Sequence, residues 1–540
     1  MDEPAVGDCF FDRIEVSSIL RKRVDAFQRG YRQNVGLIGI RFSGKTSILH
    51  HFVSTFPYPE IIPVYIEVVP EPFDYFAKKF MGTILQSYVR SSGVIIPARF
   101  DGLIKRTRKY LPQTIKHMRL VKQHLVNSNP SKAFEVLLTL TMTLSQESGK
   151  KVILIIDEFD RLQQLGLHDP YTPFSHEIMV QKDTMYVVTS SHPDKAEQIF
   201  REKLSLLFGN FESISILPFS FSESFQFVKQ CMSTVNIEIP FVNFLIRLTD
   251  GQPYYLNIIV KEIKRRAALI NNTVTEEVLV DVLTHLVFRS SGQLHQHFLL
   301  ELSPLNKGCQ FYFYLNILLA IACGRKKLNT IAHFVEKDKD ETKKGLQRLI
   351  DEQLVNRAGY FYWIKDVLLR FWLRYVFYKK FITLGIHSSK NEHTFRNEVL
   401  DLIDSACHEE HKELLKRVEE LLRSFRNDII EINFQKIKCP TFNEVYLRPT
   451  NGRIFPIYAK SPNTRWLCQV ADKTIEEEDI QMLVNDSKKM RQKVNKRILI
   501  TPYGIDLNAK LMAKQEKISI WNLRNLNFIF DLYDKPKVIV

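Results

Sequence analysis

The chain has 540 residues, 45% of them apolar, and Lys+Arg 75 against Asp+Glu 60 gives a net charge of +15. That length and apolar content exclude a disordered chain and point to about three to four domains with sizeable cores, while the positive excess suggests a polyanionic partner. Seven cysteines stand singly with no C-x-x-C, which argues against structural zinc and a disulfide framework and for a reducing cytoplasm. The N-terminus, "MDEPAVGDCFFDR", lacks a signal-type apolar core, and "FYFYLNILLAIACG" is too short to span a bilayer, so no membrane association is expected.

In chain order, "FFDRIEVSSILRKRVDAF" reads as a short turn and then an amphipathic helix. An apolar run over residues 35–40 goes straight into "GIRFSGKTS", after which Ile48, Leu49, Phe52 and Val53 recur at helical spacing. This strand–loop–helix fits G-x-x-x-x-G-K-[ST]: glycines let backbone N–H groups turn inward around phosphate oxygens, and the helix aims its positive end at them. The candidate nucleotide contacts are Gly39, Ile40, Arg41, Phe42, Ser43, Gly44, Lys45, Thr46 and Ser47. Lys45 would reach the β- and γ-phosphates of ATP, and the Thr46 hydroxyl would hold Mg²⁺.

Residues 61–69, "IIPVYIEVV", read as a second buried strand, and 72–148 as mostly helical with Pro112 and Pro130 as breaks. "KVILIIDEFDRL" is apolar at every position from 152 to 156, as suits a parallel strand buried on both faces, and ends in two acids. Asp157 would orient Mg²⁺ through water and Glu158 would polarise the attacking water; Asp160 and Arg161 are expected on the outer face of the next turn. "MYVVTSS" (185–191) and "SISILPF" (213–219) are further strands. Ser190 or Ser191 could sense the γ-phosphate, a plain helix cap being the alternative. Strands alternating with helices indicate a parallel sheet covered on both faces.

From 221 to about 288 the pattern is helical only, and Gly251 and Pro253 in "GQPYYL" could set a helix against the nucleotide. Phe11 and Arg13, "GIRFSGKTS", "LIIDEFD", "VVTSSH" and "GQPYYL" occur in an order that resembles the archaeal-type P-loop ATPases, relatives of the AAA+ and STAND switch ATPases, over roughly residues 8–285. The resemblance implies ATP and Mg²⁺ as cofactors, Glu158 and Lys45 as catalytic residues, and Arg13, Ser190 and Pro253 as further nucleotide contacts. It also exposes a departure: where that family commonly has an arginine after an aromatic–Gly pair, Leu207-Phe208-Gly209 is followed by Asn210. Arg201 is the nearby substitute. Without a cationic finger, phosphoryl transfer slows by roughly 10³–10⁵.

Residues 311–363 spell a winged helix: helices over 311–323, 328–334 and 340–353, then a hairpin around Ala358-Gly359. Its third helix would offer Lys343, Lys344 and Arg348 to DNA phosphates, or, since it also carries Asp340, Glu341, Asp351 and Glu352, serve as a protein contact or hinge. Asp366, Arg370-Phe371-Trp372 and Arg374 resemble the start of the DEXX-box ATPase C-terminal domain, whose last part is similar to restriction-endonuclease-like folds. Such a nuclease site needs an acid and then E-x-K on adjacent strands to hold Mg²⁺. Pro456, Gln469 and Ala471 stand at those positions, with Asp472 and Lys473 on the wrong alternation, so the domain reads as degenerate.

Two basic segments, 105–122 and 488–497, are free of acids and are the candidate DNA contacts. The expected architecture is α/β: a P-loop core with a parallel sheet (1–220), a helical lid (221–290), a winged helix (291–385) and a degenerate nuclease-like α/β domain (386–540). The expected function is an ATP-binding, ATP-hydrolysing switch acting on DNA or a DNA-bound protein, with a protein partner or homo-oligomer also open. The alternatives are a DNA-binding or scaffold protein that holds nucleotide without turnover and an ATP-gated nuclease.

Overall fold

The computed structural model describes residues 10–92, 100–204, 210–306, 310–382, 388–410, 412–432, 435–447, 454–489 and 494–538. The chain forms two compact units: Met1–Phe219 with Gln252–Tyr254, and Ser220–Gly251 with Tyr255–Val540. It is an α/β protein.

The first unit is built on five parallel strands: β1 (Asn34–Ile38), β2 (Ile61–Glu67), β3 (Lys151–Asp157), β4 (Thr184–Ser190) and β5 (Phe211–Ser215), in the order β2-β3-β4-β1-β5. The uninterrupted apolar runs are explained by cover on both faces. Ile153, Ile155, Met185 and Val187 pack with Leu20, Val24, Ile48 and Leu49 from the helices Ile14–Gln28 and Lys45–Ser54. The alternate residues, Val152, Leu154, Ile156 and Val188, pack with Phe76, Phe80 and Leu137 from the helices Phe73–Ser91 and Pro130–Ser148. Pro112 and Pro130 each occupy the first turn of a helix, Pro112–Val126 and Pro130–Ser148, where a missing N–H costs nothing.

The second unit begins with helices Phe221–Cys231, Ile239–Thr249 and Glu276–Leu283 and most of Pro253–Ala267. Helices Phe311–Ala322, Leu328–Val335 and Lys339–Asp351 precede a hairpin, β6 (Val355–Ala358) with β7 (Phe361–Ile364). After helices Ser388–Glu410 and Leu414–Arg423 comes a hairpin absent from the sequence-based expectation, β8 (Asp428–Ile432) with β9 (Gln435–Cys439). The last sheet runs in chain order through β10 (Glu444–Leu447), β11 (Ile454–Lys460), β12 (Arg465–Ala471), β13 (Lys496–Thr501) and β14 (Ser519–Asn522). Its first three strands are antiparallel and its last two pairings parallel. Pro456 lies opposite Gln469 and Ile454 opposite Ala471, so the three positions expected for nuclease ligands share a face and offer it no carboxylate. On that face Leu467 and Ala471 pack with Ile480, Leu483, Ala509 and Ala513 from the covering helices.

Candidate nucleotide site

Strands β1, β3 and β4 end side by side, and the loop 39–44 leaves β1 at that edge. Two glycines do different work there. A Cβ on Gly39 would lie 2.1 Å from the Ile216 carbonyl oxygen, so only glycine permits that approach. Gly44 has φ 92° at the N-terminus of helix Lys45–Ser54, a left-handed conformation that glycine adopts without strain. The Gly39 N–H donates to the Ser190 carbonyl at 3.1 Å and Ile216 N–H to the Ile38 carbonyl at 2.7 Å, fixing the loop's entry between two chain segments.

Arg13 fixes its exit. The guanidinium donates to the carbonyls of Ser43 (3.1 Å) and Leu217 (2.6 Å) and lies 4.8 Å over the Phe219 ring. Phe42, at φ 63°, stacks on Tyr254 at 4.7 Å, directly after Pro253, the first residue of helix Pro253–Ala267. Arg13 thus touches the loop's backbone, and Pro253 reaches it through its neighbour.

The Lys45 ammonium, 4% exposed, donates to the Gly39 and Ile40 carbonyls, both at 2.9 Å. Burial pushes its pKa down, against the pull of Glu158, Asp157 and Asp160. Ser43 Oγ is buried without a hydrogen-bond partner among the described residues. An orphaned hydroxyl, a lysine folded onto loop carbonyls and the N–H groups that a helix start turns outward make a donor set that fits a polyphosphate.

Asp157 receives three hydroxyls. Thr46 Oγ1 and Tyr65 OH each donate to Oδ2 at 2.8 Å, and Thr189 Oγ1 donates to Oδ1. The Tyr65 hydroxyl is held protonated by burial and by Asp157. Thr189 also accepts the Glu158 N–H at 2.9 Å, so one threonine of β4 holds both acids. A hard divalent cation would find an oxygen pair in Thr46 and Asp157, as magnesium prefers.

Glu158 sits at φ 57°, and its carboxylate is taken by Ser191: the hydroxyl donates to Oε1 and the N–H to Oε2 at 3.2 Å. Arg161 approaches at 3.8 Å. Of the two serines expected near the γ-phosphate, Ser190 is turned to Asp160, its hydroxyl donating to Oδ1 at 2.7 Å, while Ser191 faces Glu158.

The expectation for Asp160 is overturned. Far from lining an outer face, it is completely buried, bonded also to His192 Nδ1 (3.0 Å) and paired with Lys195 (3.5 Å). Burial alone would raise its pKa, but the hydrogen bonds from His192 and Ser190 outweigh that and hold it low. Ligand atoms of Glu158, Asp160 and His192 lie within 4.8 Å of one another, yet each is already engaged by the protein. Arg201 is exposed and 3.7 Å from Glu197, and Asn210 is exposed. Leu207, Phe208 and Gly209 lie outside the described residues, as do 490–493 of the second basic segment.

A parallel sheet ordered β2-β3-β4-β1-β5, a glycine loop leading into a helix after β1, and paired acids ending β3 define the P-loop NTPase class of α/β fold. No protein-family model matches the chain, and no curated protein matches it. Among solved structures, it is similar to the Walker-type ATPase PABY2304 of Pyrococcus abyssi (18% identity, 67% of this chain and 96% of that one, TM-score 0.45). It is similar also to the ORC2 protein of Aeropyrum pernix in its ADPNP–ADP complexes (13%, 75% and 98%, TM-score 0.43). A third is the Thermotoga maritima RuvB Holliday junction branch migration motor (14%, 66% and 93%, TM-score 0.34). No helix among the described residues is long and apolar enough to cross a membrane.

Proposed function

We propose that the chain binds ATP with Mg²⁺ and hydrolyses it slowly, as a switch acting on DNA or a DNA-bound protein. The observation that carries this reading is the hydroxyl-bridged acid pair, Asp157 and Glu158, set beside the helix start that holds Lys45 and Thr46.

In this reading the N–H groups of the loop and helix start cradle the phosphates, and Lys45 leaves the Gly39 and Ile40 carbonyls to reach the β- and γ-phosphates. Thr46 and Asp157 hold the metal, which when bound supplies charge neutralisation at the transferring phosphoryl group. Glu158 orients and polarises the attacking water, as a carboxylate base must lie within hydrogen-bond reach of it. Arg13 keeps the loop in shape from behind. Ser191 takes the sensing role, because Ser190 is committed to Asp160.

The reading with nucleotide held but not turned over has one observation in its favour: the carboxylate of the base is occupied by Ser191. We assign residues 1–220 to the ATPase core, 221–290 to a lid, 291–385 to a winged helix and 386–540 to a nuclease-like domain without cleavage.

The test is binding of a fluorescent ATP analogue together with phosphate release. Lys45→Ala should abolish binding, and Glu158→Gln should bind as the unaltered chain does and release no phosphate. Undiminished affinity in Lys45→Ala would remove the loop from the site. Equal turnover in Glu158→Gln would remove Glu158 from the role of base.

A further inference from the structure

Residues 102–134 contain no aspartate or glutamate and eight lysines and arginines, so this span alone supplies +8 of the chain's +15. It folds as the helix Phe100–Thr107, a turn, the helix Pro112–Val126 and the start of Pro130–Ser148. Lys105, Arg108, Lys109, Lys116, Arg119 and Lys122 are all exposed. The first five side chains make no hydrogen bond or ion pair among the described residues, and Lys122 lies 5.0 Å over the Phe100 ring. Glu147, an acid that reaches this helix pair from helix Pro130–Ser148, is committed to the Gln113 and Thr114 N–H groups at 2.6 and 2.8 Å. Over residues 100–126 Asp101 is the one acid, against seven lysines and arginines, so the patch keeps a strong positive excess.

The three-helix element of the second unit is the competing surface, and it is poorly free to serve. Its hairpin, the part that would enter a groove as a wing, is seated in the C-terminal fold. Ala358 and Phe361 belong to the core formed with Ile430, Ile529 and Phe530. The Tyr360 N–H donates to the Ile429 carbonyl at 2.9 Å, and a Cβ on Gly359 would meet that same oxygen at 2.1 Å. Trp363 packs edge-on to Phe528 at 5.2 Å. The helix Lys339–Asp351 counters its four cations with Asp340, Glu341 and Asp351, and Arg348 is paired with Glu352 at 2.6 Å.

We propose that the helix pair spanning residues 100–126, and not the hairpin-bearing three-helix element, carries the nucleic-acid contact, binding the phosphate backbone of a duplex without reading its bases. This rests on the reading of DNA as partner and says which surface meets it. Duplex backbone is the occupant that the chemistry fits. The donors are point charges along helices; Lys116, Arg119 and Lys122 step about 4.5 Å apart along one axis. Tyr110 is the exposed aromatic of the span, and a single ring makes no stacking platform for single strands. A duplex offers the densest phosphate array, about one charge per 1.7 Å. A bilayer fits less well, because the apolar side of helix Pro112–Val126 (Ile115, Met118, Val121) is spent in the core.

The experiment is fluorescence anisotropy of the full chain with a labelled duplex of about 20 base pairs, between about 50 and 200 mM salt. Six phosphate contacts predict a log–log slope near −5.4, an affinity loss of about 2,000-fold across that range. Changing Lys105, Arg108, Lys116 and Arg119 together to Gln leaves two contacts, a slope near −1.8 and a loss of about tenfold. All four residues are exposed, and retained ATP-analogue binding reports an intact fold. Lys343→Ala with Lys344→Ala should keep the full slope. An unchanged slope in the quadruple variant, or a flattened one in the Lys343/Lys344 variant alone, overturns the proposal while leaving DNA as the partner. An unaltered chain without duplex affinity overturns both, whatever its ATPase. Phosphatidylserine vesicles bound in preference to duplex, and released by the quadruple change, would assign the patch to a membrane instead.

Discussion

Ser191→Ala should speed ATP turnover. In the structure the Glu158 carboxylate receives the Ser191 hydroxyl on one oxygen and the Ser191 N–H, at 3.2 Å, on the other, in a site where Glu158 is 8% and Ser191 4% exposed. To act on water, that carboxylate must give up its best donor first. A hydrogen bond to a charged group contributes about 1.5–3 kcal/mol, and alanine removes the hydroxyl but keeps the N–H, so the lower end applies. About 1.5 kcal/mol off the barrier is roughly tenfold in rate. Single-turnover phosphate release at saturating nucleotide should rise by about that factor, so that a weaker hold on the γ-phosphate from the lost Ser191 hydroxyl does not enter the rate. The double variant with Glu158→Gln should be as inactive as Glu158→Gln alone, which ties the gain to this carboxylate. A fall in rate toward the Glu158→Gln level would refute the reasoning and make Ser191 a residue that aims the base rather than one that restrains it.

Gly39→Ala should abolish nucleotide binding, since its Cβ would stand 2.1 Å from a backbone oxygen that cannot yield; Gly44→Ala, which meets no atom within 4 Å, should cost only the left-handed strain of about 1–2 kcal/mol, read as a modest loss of thermal stability. In the second unit, Arg265 and Arg266 hold the Glu262 carboxyl down to about 2. A depressed acid stabilises the fold above its unfolded pKa and loses that contribution as pH falls through the folded one, so Glu262→Gln should flatten the stability loss between about pH 4.5 and 2. The C-terminal domain should cut neither linear nor supercoiled DNA with Mg²⁺ or Mn²⁺, as read on gels with and without ATP. On the Pro456–Gln469–Ala471 face the nearest strand acid, Glu444, pairs with Lys460, four residues and about 13 Å along β11 from Pro456, so metal-dependent cutting lost in Glu444→Ala would overturn the alignment of these strands.

The strands and the loop were legible because their signals are local. A strand buried on both faces is apolar at every position, and a phosphate loop needs its glycines at fixed offsets. Asp160 is illegible in the sequence for the opposite reason. It follows Asp157-Glu158-Phe159 in a run that looks solvated, and its burial depends on Ser190 and His192, some 30 residues later at the end of the next strand and just past it. The signal available was indirect: His192 and Lys195, three apart, would want a shared acid. Tyr65 was missed likewise, since its bond to Asp157 exists only because β2 lies against β3. The hairpin of β8 and β9 does carry a local signal, the alternation of Ile430, Ile432, Ile437 and Cys439. Ser190 and Ser191 could not be separated without the structure, because adjacent residues at a strand end point opposite ways and the sequence does not say which way the acids lie.

The hydrogen bonds at the strand ends divide the site into a fixed part and a movable one. Asp157 has three hydroxyl donors, so a ligand that draws Thr46 away still leaves Tyr65 and Thr189 to hold the carboxylate. Thr189 bonds to both acids from within β4, whose pairing with β3 through Ile156 and Val188 keeps that threonine in register. The Glu158 backbone, at a φ that a non-glycine residue adopts only at a cost, is pinned by the same threonine. What is left free to change is the Glu158 side chain, and its restraint comes from Ser191, one residue past the end of β4. Movement of the Glu158 side chain therefore requires no movement in Asp157. On the proposed reading, that separation would let nucleotide be held with Asp157 in place while hydrolysis waited on a single hydroxyl letting go.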